Sequence, residues 1–243
     1  MINKVVASFD EAVKDIFDSA VILMGGFGPA NGTPTNLLRA LERQGAKDLT
    51  LVANTPGAGR APEGSRPFRK TPPDYDDGGI LIQSGQVKKA ICAFPGLNRP
   101  GIPDPLFENW EAGKLEVEMV PQGTLAERIR AARAGIGAFF IPTGAGTVIE
   151  KDKEKRVIDG REHILEYPLK ADFALVRAYR ADRYGNCVYQ GTSRNFNPVM
   201  AGAAKVTIVE ADELVELGDL TPEVIVTPGI YVDRIAVRKK SLK

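Results

Sequence analysis

The chain has 243 residues, of which 43% are hydrophobic and 26% charged, with a formal net charge of +1. That length suits one large α/β unit or two small ones and can bury a substantial core. The near-neutral balance argues against nucleic acid and against an anionic membrane surface, and no apolar run approaches the ~20 residues of a spanning helix. Acidic residues at Asp10, Glu11, Asp15 and Asp18 do not fit a signal or transit peptide, so a cytoplasmic protein is expected. Cys92 and Cys187 form no CxxC and read as small structural residues of a reduced protein.

In chain order, Phe9 to Phe17 carries apolar residues at helical spacing, and Val21 to Met24 reads as a short buried strand. Thr35 to Gln44 predicts a helix closed by Gly45 as its C-cap. Strands follow at Leu49–Asn54, within Val87–Phe94 and at Leu115–Val120. Thr124 to Ala134 predicts a helix, with Thr124 and Glu127 spaced as a capping box, and Ala138–Ile141 a further strand. The first ~140 residues therefore alternate β and α, which indicates an open, mostly parallel sheet covered by helices. Beyond them Arg156–Leu165 reads as a hairpin turning at Asp159-Gly160. Phe173–Tyr179, Lys205–Glu210, Ile225–Thr227 and Tyr231–Val237 read as strands. The whole is expected to be a single α/β unit over 1–243 with extra β-hairpin elements in its C-terminal part.

The segment from Thr55 to Gly79 breaks this pattern. It contains five prolines together with Arg60, Arg66, Arg69 and Lys70, and has no hydrophobic period. It is either a surface insertion or a basic loop beside an acidic substrate or a second protein chain.

Three strand ends carry the chemistry. Gly25-Gly26-Phe27-Gly28-Pro29-Ala30-Asn31 follows the first strand and leads into a helix, so its backbone is open to a ligand and a helix N-terminus stands behind it. It lacks the lysine and hydroxyl of a phosphate loop. Asn31 stands where a dinucleotide fingerprint has its third glycine, and Asn54-Thr55 replaces the ribose-binding acid. Asn54 and Thr55 end the second strand. Gln122 follows the strand at 115–120, either as a turn residue or as an amide donor to an oxyanion. Ligands gather outside the C-terminal ends of parallel strands, so these three segments point to one crevice. Pro142–Thr147 is either a tight turn or a further wall. His163 is the lone histidine and reads as structural, which leaves no Ser-His-Asp set, and no metal-ligand spacing appears.

In this order the residues resemble the A (alpha) chains of the family I coenzyme A transferases. Gly25-Gly26-Phe27 with Gly32 and Pro34 is similar to the family's N-terminal signature, and Pro121 to Arg130 to its most recognisable internal segment. Gly137–Phe140, Asp172–Val176, Arg194-Asn195-Phe196-Asn197 and Thr227–Val232 continue the match over nearly the whole chain.

The resemblance implies CoA transfer between succinyl-CoA and a 3-oxo acid, through a covalent intermediate on a glutamate of a partner B (beta) subunit in an A2B2 assembly. Glu108-Asn109 is followed by Trp110, not by the glycine of the family's nucleophile segment, so the chain is expected to lack its own nucleophile. Coenzyme A is then a substrate, with no permanently bound cofactor and no metal. Gln122 supplies an oxyanion-type donor, Asn54 the first member of an amide pair whose second member is Thr55 here, and Gly25 to Asn31 the loop beside coenzyme A or the substrate carboxylate. The alternatives that the resemblance leaves are an acetate- or butyrate-type transferase and a non-catalytic CoA-binding subunit. An isomerase or deaminase of similar architecture would need an acid/base set that the chain does not display.

Overall fold

The computed structural model describes residues 2–28, 32–60, 75–96 and 104–238. Its strands are β1 (Val21–Met24), β2 (Leu49–Ala53), β3 (Val87–Cys92), β4 (Glu116–Met119), β5 (Phe139–Ile141), β6 (Lys155–Ile158), β7 (Arg161–Glu166), β8 (Ala171–Asp182), β9 (Cys187–Val188), β10 (Ala204–Val215) and β11 (Arg234–Val237). Its α-helices are α1 (Phe9–Val13), α2 (Thr35–Gln44), α3 (Gly79–Gln83), α4 (Pro105–Glu111), α5 (Gln122–Ala134) and α6 (Asn197–Met200).

An eight-stranded sheet runs in the order β11-β10-β8-β1-β2-β3-β4, all parallel, with β9 added antiparallel to β8. Side chains alternate between its faces, as strand geometry requires. Ile22, Met24, Leu51, Ala53, Ala90 and Leu175 pack on one face with the apolar residues of α1 to α4. Leu23, Val52, Ile91, Val176 and Val209 pack on the other with Leu125, Ile129 and Met200 of α5 and α6. The chain fills the sheet from β1 to β4 in one direction and returns to place β8, β10 and β11 on the other side of β1. The direction of filling thus reverses between β1 and β8, where an open α/β sheet leaves a crevice.

The helix at Thr35–Gln44 ends as the sequence predicts, with Gly45 at φ +86°. Its start is different in kind. Pro34 gives it no side-chain cap. Instead the Glu210 carboxylate of β10 accepts from Asn36 N (2.8 Å), Leu37 N (3.1 Å) and Asn36 Nδ2 (3.0 Å). Glu210 is fully buried, and Arg238 Nη1 lies 3.2 Å away. The helix N-terminus read as an anion cradle therefore already holds an anion, supplied by the protein itself.

Several expectations are corrected. The first helix stops at Val13, because the chain turns back at Ile16 N to Val13 O to feed β1. Pro121 starts α5 at once: Leu125 N bonds to Pro121 O at 2.8 Å, so Gln122 is the first helical residue rather than a turn residue. Thr124 falls inside the first turn, buried with no hydrogen-bond partner for its hydroxyl among the described residues, and Glu127 pairs with Arg130, so the two do not form a capping box. β5 leaves the parallel sheet and joins β7 and β6 in a three-stranded antiparallel sheet. The hairpin of that sheet turns at Asp159 and Gly160, both at positive φ, as read from the sequence. Residues 225–227 form only an isolated bridge from Thr227 to Cys187, flanked by Pro222 and Pro228, which cannot donate to a ladder. The last strand begins at Arg234, after a 3₁₀ turn at Gly229–Tyr231.

Ion pairs fasten the small sheet to the main body. Glu166 of β7 is buried and bonds Lys153 (2.5 Å), with Arg128 of α5 at 3.9 Å; Arg128 also bonds Glu118 of β4 (2.8 Å). No helix among the described residues is long and apolar enough to cross a membrane.

In the segment read as a basic insertion, 61–74 lies outside the described residues, and Arg66, Arg69 and Lys70 with it. Its flanks are held by carboxylates. Arg60 bonds Glu42 at 2.7 and 2.5 Å and lies 3.8 Å from Asp76, so its charge is matched inside the chain. Asp77 accepts from Ala58 N, Gly59 N and Gly79 N at 2.7 to 3.1 Å.

Two measurements follow from these buried carboxylates. Glu210→Ala leaves the first N–H groups of α2 buried without an acceptor, at a cost of about 3 kcal/mol in urea unfolding of the chain; an unchanged midpoint would show that water replaces the carboxylate. Burial raises the Asp77 pKa from 3.8 to about 6, outweighing its three N–H donors. The folded state therefore holds that proton more tightly than the unfolded chain does. The stabilisation is complete below 3.8 and is lost as pH rises through about 6. Relative to Asp77→Asn, which cannot ionise, the native chain should lose on the order of 2 kcal/mol between about pH 4 and 7 in thermal melts. A pH-independent difference would refute the shift.

Candidate functional site

Strand register sets the site. Met24 pairs with Ala53, Ala53 with Cys92, and Cys92 with Met119, so β1 to β4 end in one row across the sheet. The next residues, Gly25, Asn54, Ala93 and Val120, form the row above it at strand spacings of ~4.8 Å. Sequence reasoning placed Gly25, Asn54 and Gln122 in one crevice because each follows a parallel strand, and the register brings those strand ends together.

Asn54 is 2% exposed. Its backbone oxygen accepts from Ala93 N (3.2 Å) and Phe94 N (2.9 Å), which ties β2 to β3 beyond the ladder. Its side chain accepts from Gln122 Nε2 at 2.9 Å and donates to Thr55 Oγ1 at 3.1 Å. Gln122 is exposed, and its other N–H has no partner among the described residues. A carboxamide is planar, so a bond from one N–H fixes the direction of the other. The arrangement thus holds an amide donor ready for an incoming oxygen at the mouth of the crevice.

The glycine loop forms the wall at the reversal between β1 and β8. Gly25 N bonds Leu175 O at 2.9 Å. Phe27 is 46% exposed and stacks on the buried ring of Phe196, with centroids 6.5 Å apart. Gly28 O accepts from Thr33 Oγ1 at 3.4 Å. Pro29, Ala30 and Asn31, placed in the site by the sequence, lie outside the described residues, as does the segment 98–103.

Nucleophiles are scarce here. Cys92 ends β3 beneath Asn54, but burial pushes its thiol up to about 12, so it stays protonated at neutral pH. Among the described residues no carboxylate hydrogen-bonds Asn54 or Gln122. Glu108 and Asn109 lie within α4, where the Asn109 amide bonds Pro105 O. His163 sits in β7 with Nδ1 2.8 Å from Arg161 O, away from these strand ends. Pro142–Thr147 follows β5 in the small sheet, and Thr147 caps a 3₁₀ turn there. A cavity of about 490 Å³ between α5 and the small sheet is lined by Arg128, Lys153 and Glu166, whose charges pair with one another. No group of side chains suited to a metal occurs among the described residues.

Sequence reasoning left Phe196 and Asn197 out of the site, although they lie against its glycine loop. The signal that could have found them was the Arg194-Asn195-Phe196-Asn197 segment of the family resemblance, to which no role was attached.

The sequence pattern of the family described as coenzyme A transferase matches residues 6–238. The A subunit of the 3-oxoadipate CoA-transferase of Pseudomonas putida is 47% identical over 97% of this chain and 94% of its own length. The A subunit of the probable succinyl-CoA:3-ketoacid coenzyme A transferase of Bacillus subtilis (strain 168) is 43% identical over 97% of this chain and 90% of its own. The fold is shared with an acyl-CoA transferase of Escherichia coli O157:H7, solved as a thioester complex with CoA, at a TM-score of 0.78 and 23% identity. That superposition covers 98% of this chain and 47% of the other, so this chain spans about half of that protein. With the pattern covering 6–238 and relatives aligned over nearly their whole length, the chain belongs to the coenzyme A transferase family.

Proposed function

We propose that this chain is the A subunit of a CoA-transferase that moves CoA between succinyl-CoA and a 3-oxo acid of the 3-oxoadipate or acetoacetate type, through a glutamate on a B subunit in an A2B2 assembly. The observation that carries this reading is the Asn54–Gln122 amide pair, a fixed donor at a row of strand ends with no carboxylate bonded to it among the described residues. Such a site stabilises an oxyanion but cannot generate one. The names of the two relatives supply the substrate classes.

In the proposed reaction the partner's glutamate carboxylate attacks the thioester carbonyl. The C–S bond breaks, CoA leaves as thiolate, and an acyl–glutamyl anhydride forms. The thiolate then attacks the glutamyl carbonyl and releases succinate, giving the glutamyl-CoA thioester. The 3-oxo acid carboxylate repeats the sequence in reverse and carries CoA away. Each attack places negative charge on a carbonyl oxygen, and the free N–H of Gln122, aimed by Asn54, is the group to receive it. The Thr55 hydroxyl accepts from Asn54 and so keeps the acceptor edge of that amide toward Gln122. Gly25, Gly26, Phe27 and Gly28 line the coenzyme A or substrate carboxylate side. Two free cysteines, both buried, fit the cytoplasmic location expected from the sequence.

The test is to express the chain alone and with its B partner, and to assay succinyl-CoA with 3-oxoadipate, acetoacetate and acetate. Activity is expected only from the pair and only with the 3-oxo acids; turnover by the chain alone would sink the half-site reading. In the assembled enzyme, Gln122→Ala should lower turnover by about 10²-fold, the cost of losing one oxyanion donor. Unchanged turnover would leave Gln122 as no more than the first residue of α5.

A further inference from the structure

We infer that Asn197 is the positioning residue of the glycine loop, setting the affinity for the acyl-CoA or acid substrate through the places it gives Gly25 and Gly32. The inference rests on the function proposed above. Asn197 is the first residue of α6, far in sequence from the loop, and is fully buried. Its Oδ1 accepts from Arg177 N of β8 at 3.0 Å. Its Nδ2 donates to Gly32 O at 3.0 Å and to Ser193 O at 2.8 Å.

The same side chain touches both ends of the loop. A Cβ on Gly25 would overlap the Asn197 side-chain oxygen, and one on Gly32, at φ +80°, would stand 2.6 Å from its nitrogen. Gly25 and Gly32 thus leave room for this amide. Beside it Phe196, the preceding residue, stacks under Phe27. One short segment therefore sets the entry and exit of the loop and supports its exposed ring.

The location adds to the argument. Asn197 sits at the reversal between β1 and β8, bonded to β8 at Arg177 N and to Gly32 O, and packed against Gly25 where the chain leaves β1. A buried amide in that place needs all its hydrogen bonds, because an unpaired one costs about 1–3 kcal/mol, and here they tie Gly32 to β8 and to Ser193. Asn197 makes no hydrogen bond to Asn54 or Gln122, so changing it should alter binding more than the chemical step.

The test uses the assembled complex of this chain with its partner. Asn197→Asp keeps the size and the acceptor for Arg177 N but sets a carboxylate against the Gly32 and Ser193 carbonyls. Asn197→Ser removes the bridge without adding charge. Either is expected to raise KM for one substrate by about tenfold while kcat stays within about threefold. A lower kcat at unchanged KM would overturn the inference, since a smaller folded fraction gives that result. Loss of the folded complex in both variants would overturn it too, by showing that the amide serves the whole fold and not the loop. An inactive unsubstituted complex would instead defeat the proposed function.

Discussion

The first turn of α2 begins inside the protein, where its N–H groups meet no water. A helix can start there only if something buried accepts from them. The Glu210 carboxylate does so from β10, two strands from β1 on the other side of β8. Charge burial is expensive, and desolvation raises the Glu210 pKa, opposed by Arg238 and Arg177 and by the Leu37 and Asn36 N–H groups. The carboxylate and the helix terminus are thus each other's solvation. Their union fixes where α2 starts, and so where the chain leaving β1 must arrive.

That constraint shapes the crevice. The loop from Gly25 must cover the distance from the end of β1 to the fixed start of α2, over the gap opened by the reversal of strand order. Asn197 fills the gap from the far side, bonded to β8 through Arg177 N and to the loop through Gly32 O. Across the sheet, a second amide pair does related work at β2 and β4, where Gln122 and Asn54 meet. Both cases use carboxamides, which donate and accept at once without adding charge. In a crevice proposed to receive two carboxylates and a thioester, neutral fixed donors leave the negative charge of the substrate uncancelled but oriented.

What the sequence made legible follows the range of the interactions. Val21–Met24, Thr35–Gln44 and the Asp159-Gly160 hairpin were readable because a buried run, a glycine C-cap and a turn dipeptide act within a few residues. The crevice was readable from Gly25, Asn54 and Gln122 because any parallel strand delivers its C-terminal end to the same edge. The roles of Glu210 and Asn197 were not, since their partners lie 174 and 165 residues away, and the segment that drew notice to Asn197 says nothing of what it bonds. The start of α5 was misread for a different reason. Thr124 and Glu127 match a capping box, but Pro121, with its ring-fixed φ, starts the helix three residues earlier. β5 was assigned to the wrong sheet because its three residues say that they are a strand and nothing about which edge takes them.

In the glycine loop the reason that the local signal suggests does not hold. A strand, a glycine-rich loop and a helix N-terminus suggest an anion bound by the helix. Here the helix donors are already engaged by Glu210, so an incoming anion cannot rely on them. What the loop has to offer is its own backbone at Gly25 to Gly28 and Gly32 and the exposed ring of Phe27. Both depend on side chains brought from β10 and α6. If substrate binds this wall, its affinity is governed by groups that do not touch it, and the loop sequence alone cannot specify it. Relatives sharing the loop but differing at positions equivalent to Asn197 or Phe196 should therefore differ in substrate KM, while those sharing Asn54 and Gln122 should keep the same chemical step.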